Sequence, residues 1–199
     1  MKKGLSTKII ILISIGVVFN IALSMLGNAV GGGILFLDTV GTIFIAAFLG
    51  PIPGILTGVL TNLVNGVLIG PTEIPFLLVN GVIGLIVGLI AKKQKNFSLP
   101  IAIIVGLILS IVAPLIGTPI AIFLFGGLTG SGMDFMIIWL KTSGQNLFSA
   151  VFMTKIVNNL IDKIGSAILV FLILKALPYS IIKDSILDKM KEEKGKKIG

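Results

Sequence analysis

The chain has 199 residues, of which 55% are hydrophobic and 12% are charged, and its mean hydropathy is +1.13. A soluble domain carries about 25% charged residues, so this composition excludes an ordinary soluble globule and indicates a membrane protein. The chain has no His and no Cys, which excludes zinc sites built on these residues, cysteine nucleophiles, Ser-His-Asp triads and disulfides.

Long stretches without a charged residue predict the membrane spans. Between Lys8 and Asp134, four such stretches run for 29, 34, 18 and 38 residues. A membrane helix needs about 20 apolar residues, and hydrocarbon requires backbone groups to be bonded within the segment. No alternation of period two is present, which argues against a membrane β-barrel. We therefore predict an all-α, polytopic membrane protein with a six-helix transmembrane bundle.

Helix-breaking segments that contain Gly and Pro divide the chain into six predicted helices. They cover residues 8–26, 35–49, a segment ending near 69, 74–91, 99–125 and 146–177. Gly-Pro turns at 50–54 and 70–73 separate the second, third and fourth helices. Pro114 and Pro119 predict a kink in the fifth helix, and a long polar segment, 126–144, follows it. The first helix starts with Lys like a signal peptide, but its apolar run is too long and its cleavage site is poor.

Lysine placement predicts the orientation. All sixteen basic residues are Lys, against eight acids, which gives a net charge of +8. Lys clusters lie before the first helix, after the fourth and after the sixth, so six spans place all three on one side, the cytosol. Both termini are then cytosolic. The predicted organisation is one transmembrane domain over 1–182 and a basic cytosolic tail over 183–199.

The last predicted helix carries polar residues where lipid should be. Lys155, Asn159 and Asp162 are spaced four and three apart, so they share one helix face, which Asn158 borders. Such residues usually face a bundle interior or a water-filled cavity, and we consider them candidate substrate-binding residues. In the alternative interpretation Lys155 reaches the outer headgroups and Asp162 pairs locally with Lys163 or Asn158. Lys163 points away from this face, and we expect it to have only local contacts and no role in the site.

Other polar residues are predicted at a similar depth. Asn62 and Asn65 share a face of the third helix, Asn80 lies near the outer end of the fourth, and Asp38 lies at the entrance of the second. Instead of contributing to a site, Asn62 could form a hydrogen bond with a neighbouring helix, and Glu73 could lie in a solvated loop. Together the polar residues predict a pocket open to the outside.

Such a pocket suits a small polar molecule with hydrogen-bonding groups on more than one edge. Lys155 is suited to an anionic group or a ring heteroatom, and Asp38 or Asp162 to a donor. Trp139 and Gln145 are candidates for a lid or rim, although an interfacial anchor is the favoured interpretation of Trp139.

Small residues predict close helix packing. Gly54/Gly58 and Gly84/Gly88 are pairs spaced four apart, and packing within this one chain is the favoured interpretation. Ser14 and Gly16 in the first helix offer a docking strip for another membrane subunit.

The sequence resembles a known family of membrane proteins. Residues 36–42 (FLDTVGT), 49–54 (LGPIPG) and 56–66 (LTGVLTNLVNG) resemble the substrate-binding S components of energy-coupling factor (ECF) vitamin transporters. The resemblance covers residues 8–178 and is strongest over 36–91.

The resemblance implies a monomeric six-helix subunit with its substrate site near the outer face, covered by outer loops. It implies docking on a transmembrane coupling subunit and two cytosolic ATPases, and the chain has no phosphate-binding loop of its own. In the family, polar residues of the last helix contact the vitamin, and the matching positions are Lys155, Asn158 and Asn159. The family's Ala-x-x-x-Ala docking pattern has no copy in the first helix.

The predicted function is that of a capture subunit for a small water-soluble vitamin or precursor, and two other functions are alternatives to it. An enzymatic function is disfavoured, because the candidate acid and base residues are few. The four acidic residues within the helical region lie on different elements. An oligomeric channel or stand-alone carrier for a small solute is the remaining alternative. No cofactor, metal or nucleic acid is expected. A vitamin B6-type or thiamin-related ring is the substrate hypothesis, and low aromatic content disfavours riboflavin.

Overall fold

The computed structural model of the chain describes residues 6–31, 35–94 and 97–177. The predicted cytosolic tail, 183–199, lies outside the described residues. The described part is helical and contains no strand, as the composition and the absence of period-two alternation indicate.

Seven α-helices and one short 3-10 helix form the described part of the chain. The 3-10 helix, Pro71–Phe76, directly precedes α4. The α-helices are α1 Thr7–Gly31, α2 Val40–Leu49, α3 Pro51–Leu68, α4 Leu77–Gln94, α5 Leu99–Phe125, α6 Asp134–Thr142 and α7 Leu147–Ala176.

Five of these helices are long and apolar enough to cross a membrane, namely α1, α3, α4 with its 3-10 extension, α5 and α7. The ten residues of α2 are apolar but shorter than a full span. The prediction of a multi-pass all-α protein is confirmed. The prediction of six complete spans is not, because α2 falls short.

Several elements differ from their predicted bounds. α4 covers Leu77–Gln94 instead of 74–91, because Pro71–Phe76 form a 3-10 helix. α1 continues to Gly31, five residues beyond its predicted end. α2 begins at Val40 instead of 35, because the backbone N–H groups of Phe36 and Leu37 bond to the carboxylate of Asp162 and not to a helical ladder. The polar segment 126–144 contains α6, whose first residue, Asp134, carries a charge that favours a helix N-terminus.

The short helix α2 lies at the centre of the bundle. It packs against α1, α3, α4 and α7, while α5 runs along α7 and α3 along α4. Val40, Ile43 and Ala46 of α2 are fully buried and form one core with Leu109 of α5 and Val170 of α7. A helix enclosed on this many sides has little lipid-facing surface, which explains why it need not match the bilayer thickness.

Glycines set the distance between α3 and α4. A Cβ at Gly84 would overlap the backbone of Gly54, and one at Gly88 would overlap Pro51. A Cβ at Gly58 would overlap the carbonyl of Asn80. The small residues predicted from their spacing therefore pack within this chain, which confirms the favoured interpretation.

We expect Gly84→Ala to lower the stability of the protein in detergent by about 1–3 kcal/mol, because the backbones of α3 and α4 must move apart. Gly165→Ala is the matched control, since Gly165 is exposed on α7 and has open space where a Cβ would lie. It should not destabilise the protein, and the better helix propensity of Ala should raise the stability by about 0.5–1 kcal/mol. Thermal unfolding of the two variants tests this, and equal melting temperatures for both would contradict the packing described.

Candidate functional site

A cavity of about 350 Å³ lies between two walls of the bundle. One wall is formed by α3, the 3-10 helix and α4, and the other by α5 and α7. The segment before α2, the loop before α6 and Ser24 of α1 also contribute to the lining. Its polar and charged side chains are those of Ser24, Asp38, Thr39, Thr61, Asn62, Asn65, Glu73, Asn80, Thr129, Ser131, Lys155, Asn159 and Lys163.

Six of the eight predicted site residues line this cavity, and they come from four different parts of the chain. The six are Asp38, Asn62, Asn65, Asn80, Lys155 and Asn159. Asn158 instead lines a neighbouring space of about 20 Å³, which Lys155 also borders. Asp162 lines neither space and is completely buried.

A buried chain of hydrogen bonds connects the cavity wall to the centre of the bundle. The Asn80 amide donates to Asn62 Oδ1 at 3.1 Å and accepts from Thr42 Oγ1 at 2.7 Å. Asn20 Nδ2 in turn donates to Thr42 Oγ1 at 2.8 Å and to Thr61 Oγ1 at 2.9 Å. Four helices, α1 to α4, therefore share one polar network, and part of it faces the cavity.

Asn20 is the centre of this network, and it was not singled out from the sequence. Its Oδ1 accepts from the backbone N–H groups of Gly41, at 2.6 Å, and Thr42, at 3.2 Å. With its two donated bonds, the amide makes four contacts while being fully buried. A lone Asn inside an otherwise apolar span was the available signal, because an amide is costly in hydrocarbon unless it is bonded.

Lys163 forms an ion-pair cluster at the other wall. Its Nζ donates to Asp162 Oδ2 at 2.6 Å, to Asp38 Oδ1 at 3.0 Å and to Thr39 Oγ1 at 3.1 Å. An ammonium has three donors, so all three are used. The local pairing of Asp162 with Lys163, considered as the alternative from sequence, is the arrangement in the structure.

The same cluster fixes the segment that leads into α2. Asp162 Oδ1 accepts from the backbone N–H groups of Phe36, at 2.9 Å, and Leu37, at 2.8 Å. Leu37 has a φ of 51°, a left-handed conformation that costs about 1–2 kcal/mol for a residue with a side chain. The bonds to Asp162 hold this strained backbone, which places Phe36 and Asp38 in the cavity wall.

Several polar groups of the cavity wall have no hydrogen-bond partner within the described ranges, among them the Glu73 carboxylate. The ammonium of Lys155 makes no hydrogen bond or ion pair there. The carbonyl oxygen of Asn65 is buried and accepts no hydrogen bond. Asn159, one turn from Lys155, donates its amide to the Lys155 backbone carbonyl at 2.8 Å.

Aromatic side chains complete the lining. Phe36, Phe76 and Phe125 all border the cavity, and the rings of Phe76 and Phe125 lie 6.5 Å apart at 21°. Faces of this kind suit a flat ligand ring. Their convergence was not predicted, because the three residues are distant in sequence.

The loop before α6 closes one side of the cavity. Asp134 holds this loop by accepting from the Gly130 N–H at 2.7 Å and from Ser131 Oγ at 3.1 Å. The residues predicted as a lid or rim, Trp139 and Gln145, are not in the lining, and Trp139 is 63% exposed. The exposed Trp139 fits the interfacial anchor that was favoured from sequence.

The family model of the ECF transporter, substrate-specific component, matches residues 6–174. The chain belongs to this family. ECF substrate-specific components are transport subunits, not enzymes, and they work with membrane coupling and ATPase subunits on a small-molecule substrate. No curated protein and no solved structure matches the chain significantly.

Lys163→Met should lower the stability of this S component by about 3–5 kcal/mol, because it leaves the buried carboxylate of Asp162 without its counter-charge. Lys175→Met on the same helix is the control, since Lys175 is exposed; its effect should stay within about 0.5 kcal/mol. The measurement is thermal unfolding in detergent. If both variants have the melting temperature of the unchanged protein, the ion-pair cluster does not stabilise the structure.

Proposed function

We propose that this S component captures a small water-soluble vitamin or precursor in the cavity between its two walls. A transmembrane coupling subunit and two cytosolic ATPases then drive its delivery. The observation that carries the proposal is the collection of amides, hydroxyls and charges from five elements around one space, in a chain that is otherwise apolar. Polar side chains are costly in a membrane and are retained where they serve a site.

The size and chemistry of the cavity fit such a ligand. A volume of about 350 Å³ lies at the lower end of the 300–1,000 Å³ that is typical of small-molecule sites. Amide groups offer both donors and acceptors, and the Phe side chains offer apolar faces. A small ring with polar substituents on several edges would use both.

The positions of the charges along α4 support an opening to the outside. Lys92 and Lys93 occupy its last turn, while Asn80 in the cavity wall is near its start. Twelve residues of helix separate Asn80 from Lys92, or about 18 Å. With Lys on the cytosolic side, the cavity is in the outer half of the membrane, and both termini are cytosolic.

The purified chain in detergent, without ATP, should bind one compound from a panel of water-soluble vitamins with nanomolar affinity. Asn159→Ala should weaken that binding about tenfold, because it removes an amide from the cavity wall. Met153→Ala, on the exposed face of the same helix, should leave the affinity unchanged. Isothermal titration calorimetry measures both. If no compound binds, or if the two variants behave alike, the cavity is not the site.

Reconstitution separates the capture subunit from a channel or stand-alone carrier. Liposomes that contain this chain alone should show no net flux of the bound compound, whereas liposomes that also contain the coupling and ATPase subunits should take it up with ATP. Uptake or ion conductance by the chain alone would contradict the proposed dependence on partners.

A further inference from the structure

The unpartnered charges of the cavity define what the ligand must offer. Lys155 presents an ammonium from α7, and Glu73 presents a carboxylate from the 3-10 helix. Neither charged group has a partner within the described residues. Asn65 also lines the cavity, but its Oδ1 has no accessible surface and offers no contact to a ligand.

The two groups belong to different walls. The 3-10 helix packs on α3, whereas α7 packs along α5. The Glu73 carboxylate is an acceptor on the α3 wall, where the amide nitrogen of Asn62 is already bonded to the Glu73 backbone carbonyl at 3.2 Å. The cavity therefore has an ammonium on one wall and an acceptor on the other.

The charges around Lys155 do not neutralise it by contact. Asp38 pairs with Lys163 at 3.0 Å, and Asp134 is engaged with the loop 129–131. Both carboxylates attract the Lys155 ammonium, yet neither lies within ion-pair distance of it. An uncompensated cation in a half-buried wall favours an anionic ligand group and repels a cationic one.

We infer that the substrate is a small organic acid whose acidic group binds Lys155 and whose other edge donates an N–H or O–H to the Glu73 carboxylate. This inference rests on the proposed function and narrows its substrate class. Of the two ring types considered from sequence, the permanent cation of a thiamin-related compound conflicts with Lys155. An acidic ring compound, or a linear hydroxy acid of similar size, satisfies both walls.

Matched acid and neutral pairs test the inference with the purified chain. The probes are nicotinate with nicotinamide, pantothenate with panthenol, and 4-pyridoxate with pyridoxine, and thiamin is the cationic probe. The tightest ligand should be an acid. Its neutral counterpart should bind about 10–100-fold more weakly, since a hydrogen bond to a charged group contributes about 1.5–3 kcal/mol.

Variants test which residues cause the preference for the acid over its neutral counterpart. Lys155→Gln should weaken the acid about 10–100-fold and leave its neutral counterpart within about twofold. Glu73→Ala should weaken both members of the pair, because its contact is at the other edge. Lys141→Gln is the control, since Lys141 is an exposed Lys on α6, and it should change neither. Lys155→Gln should also keep the melting temperature, because Lys155 has no partner within the described chain to lose.

The outcomes separate the inference from the function on which it rests. If the tightest ligand is neutral or cationic and Lys155→Gln does not change its affinity, the acid assignment is wrong and capture of a vitamin-like compound stands. If Lys155→Gln weakens acid and neutral compounds equally, the ammonium is not selective for the acid, and the inference is again wrong. If no probe binds to the intact chain, the inference and the proposed function both fail.

Discussion

In hydrocarbon, a polar group that is not bonded within the protein costs several kcal/mol, and this constraint explains where the chain places its amides and charges. Asn20 has all its amide groups bonded at the centre of the bundle. Lys163 has all three donors bonded at the opposite wall. The Lys155 ammonium, which has no partner within the described residues, lines the cavity, where a ligand or water can reach it. Four buried oxygens are exceptions to the constraint, since those of Asn65, Thr118, Asn158 and Ser166 have no hydrogen-bond partner in the described part of the chain.

The polar residues therefore divide into a framework and a contact surface. The framework holds the short helix α2 and the strained segment before it, through Asn20 on one side and Asp162 on the other. The contact surface uses side chains that the framework leaves available. Phe36 and Asp38 belong to both, because their backbone or side chain is fixed by α7 while they line the cavity.

Much of the fold follows from one-dimensional patterns. Charge-free stretches predict the long helices, since the length of a span is set by the bilayer. Spacing of four predicts that Lys155 and Asn159 share a face, and the structure places both in the cavity wall. The glycine pairs predict close helix packing within the chain, because small residues at helical spacing permit close approach, and the structure shows this packing between α3 and α4.

The remainder depends on tertiary contacts that spacing does not encode. Asp162 shares the helix face of Lys155, but its carboxylate accepts hydrogen bonds from the backbone of the segment before α2. Lys163 points away from that face and still reaches the cavity, because Asp38 and Thr39 come to it. The shortened α2 has the same origin, since the N–H groups of Phe36 and Leu37, just before it, bond to the distant Asp162 and not within a helix.

The absence of Cys from the chain allows a direct test of whether its polar residues surround a water-accessible space. Asn65→Cys places a thiol in the cavity wall, and Leu63→Cys places one on the exposed apolar face of the same helix, two residues away. In membrane vesicles, a water-soluble, membrane-impermeant thiol reagent should label Asn65→Cys, and bound ligand should protect it, whereas Leu63→Cys should stay unlabelled in lipid. Equal labelling of the two positions, or labelling of Leu63→Cys alone, would contradict the account.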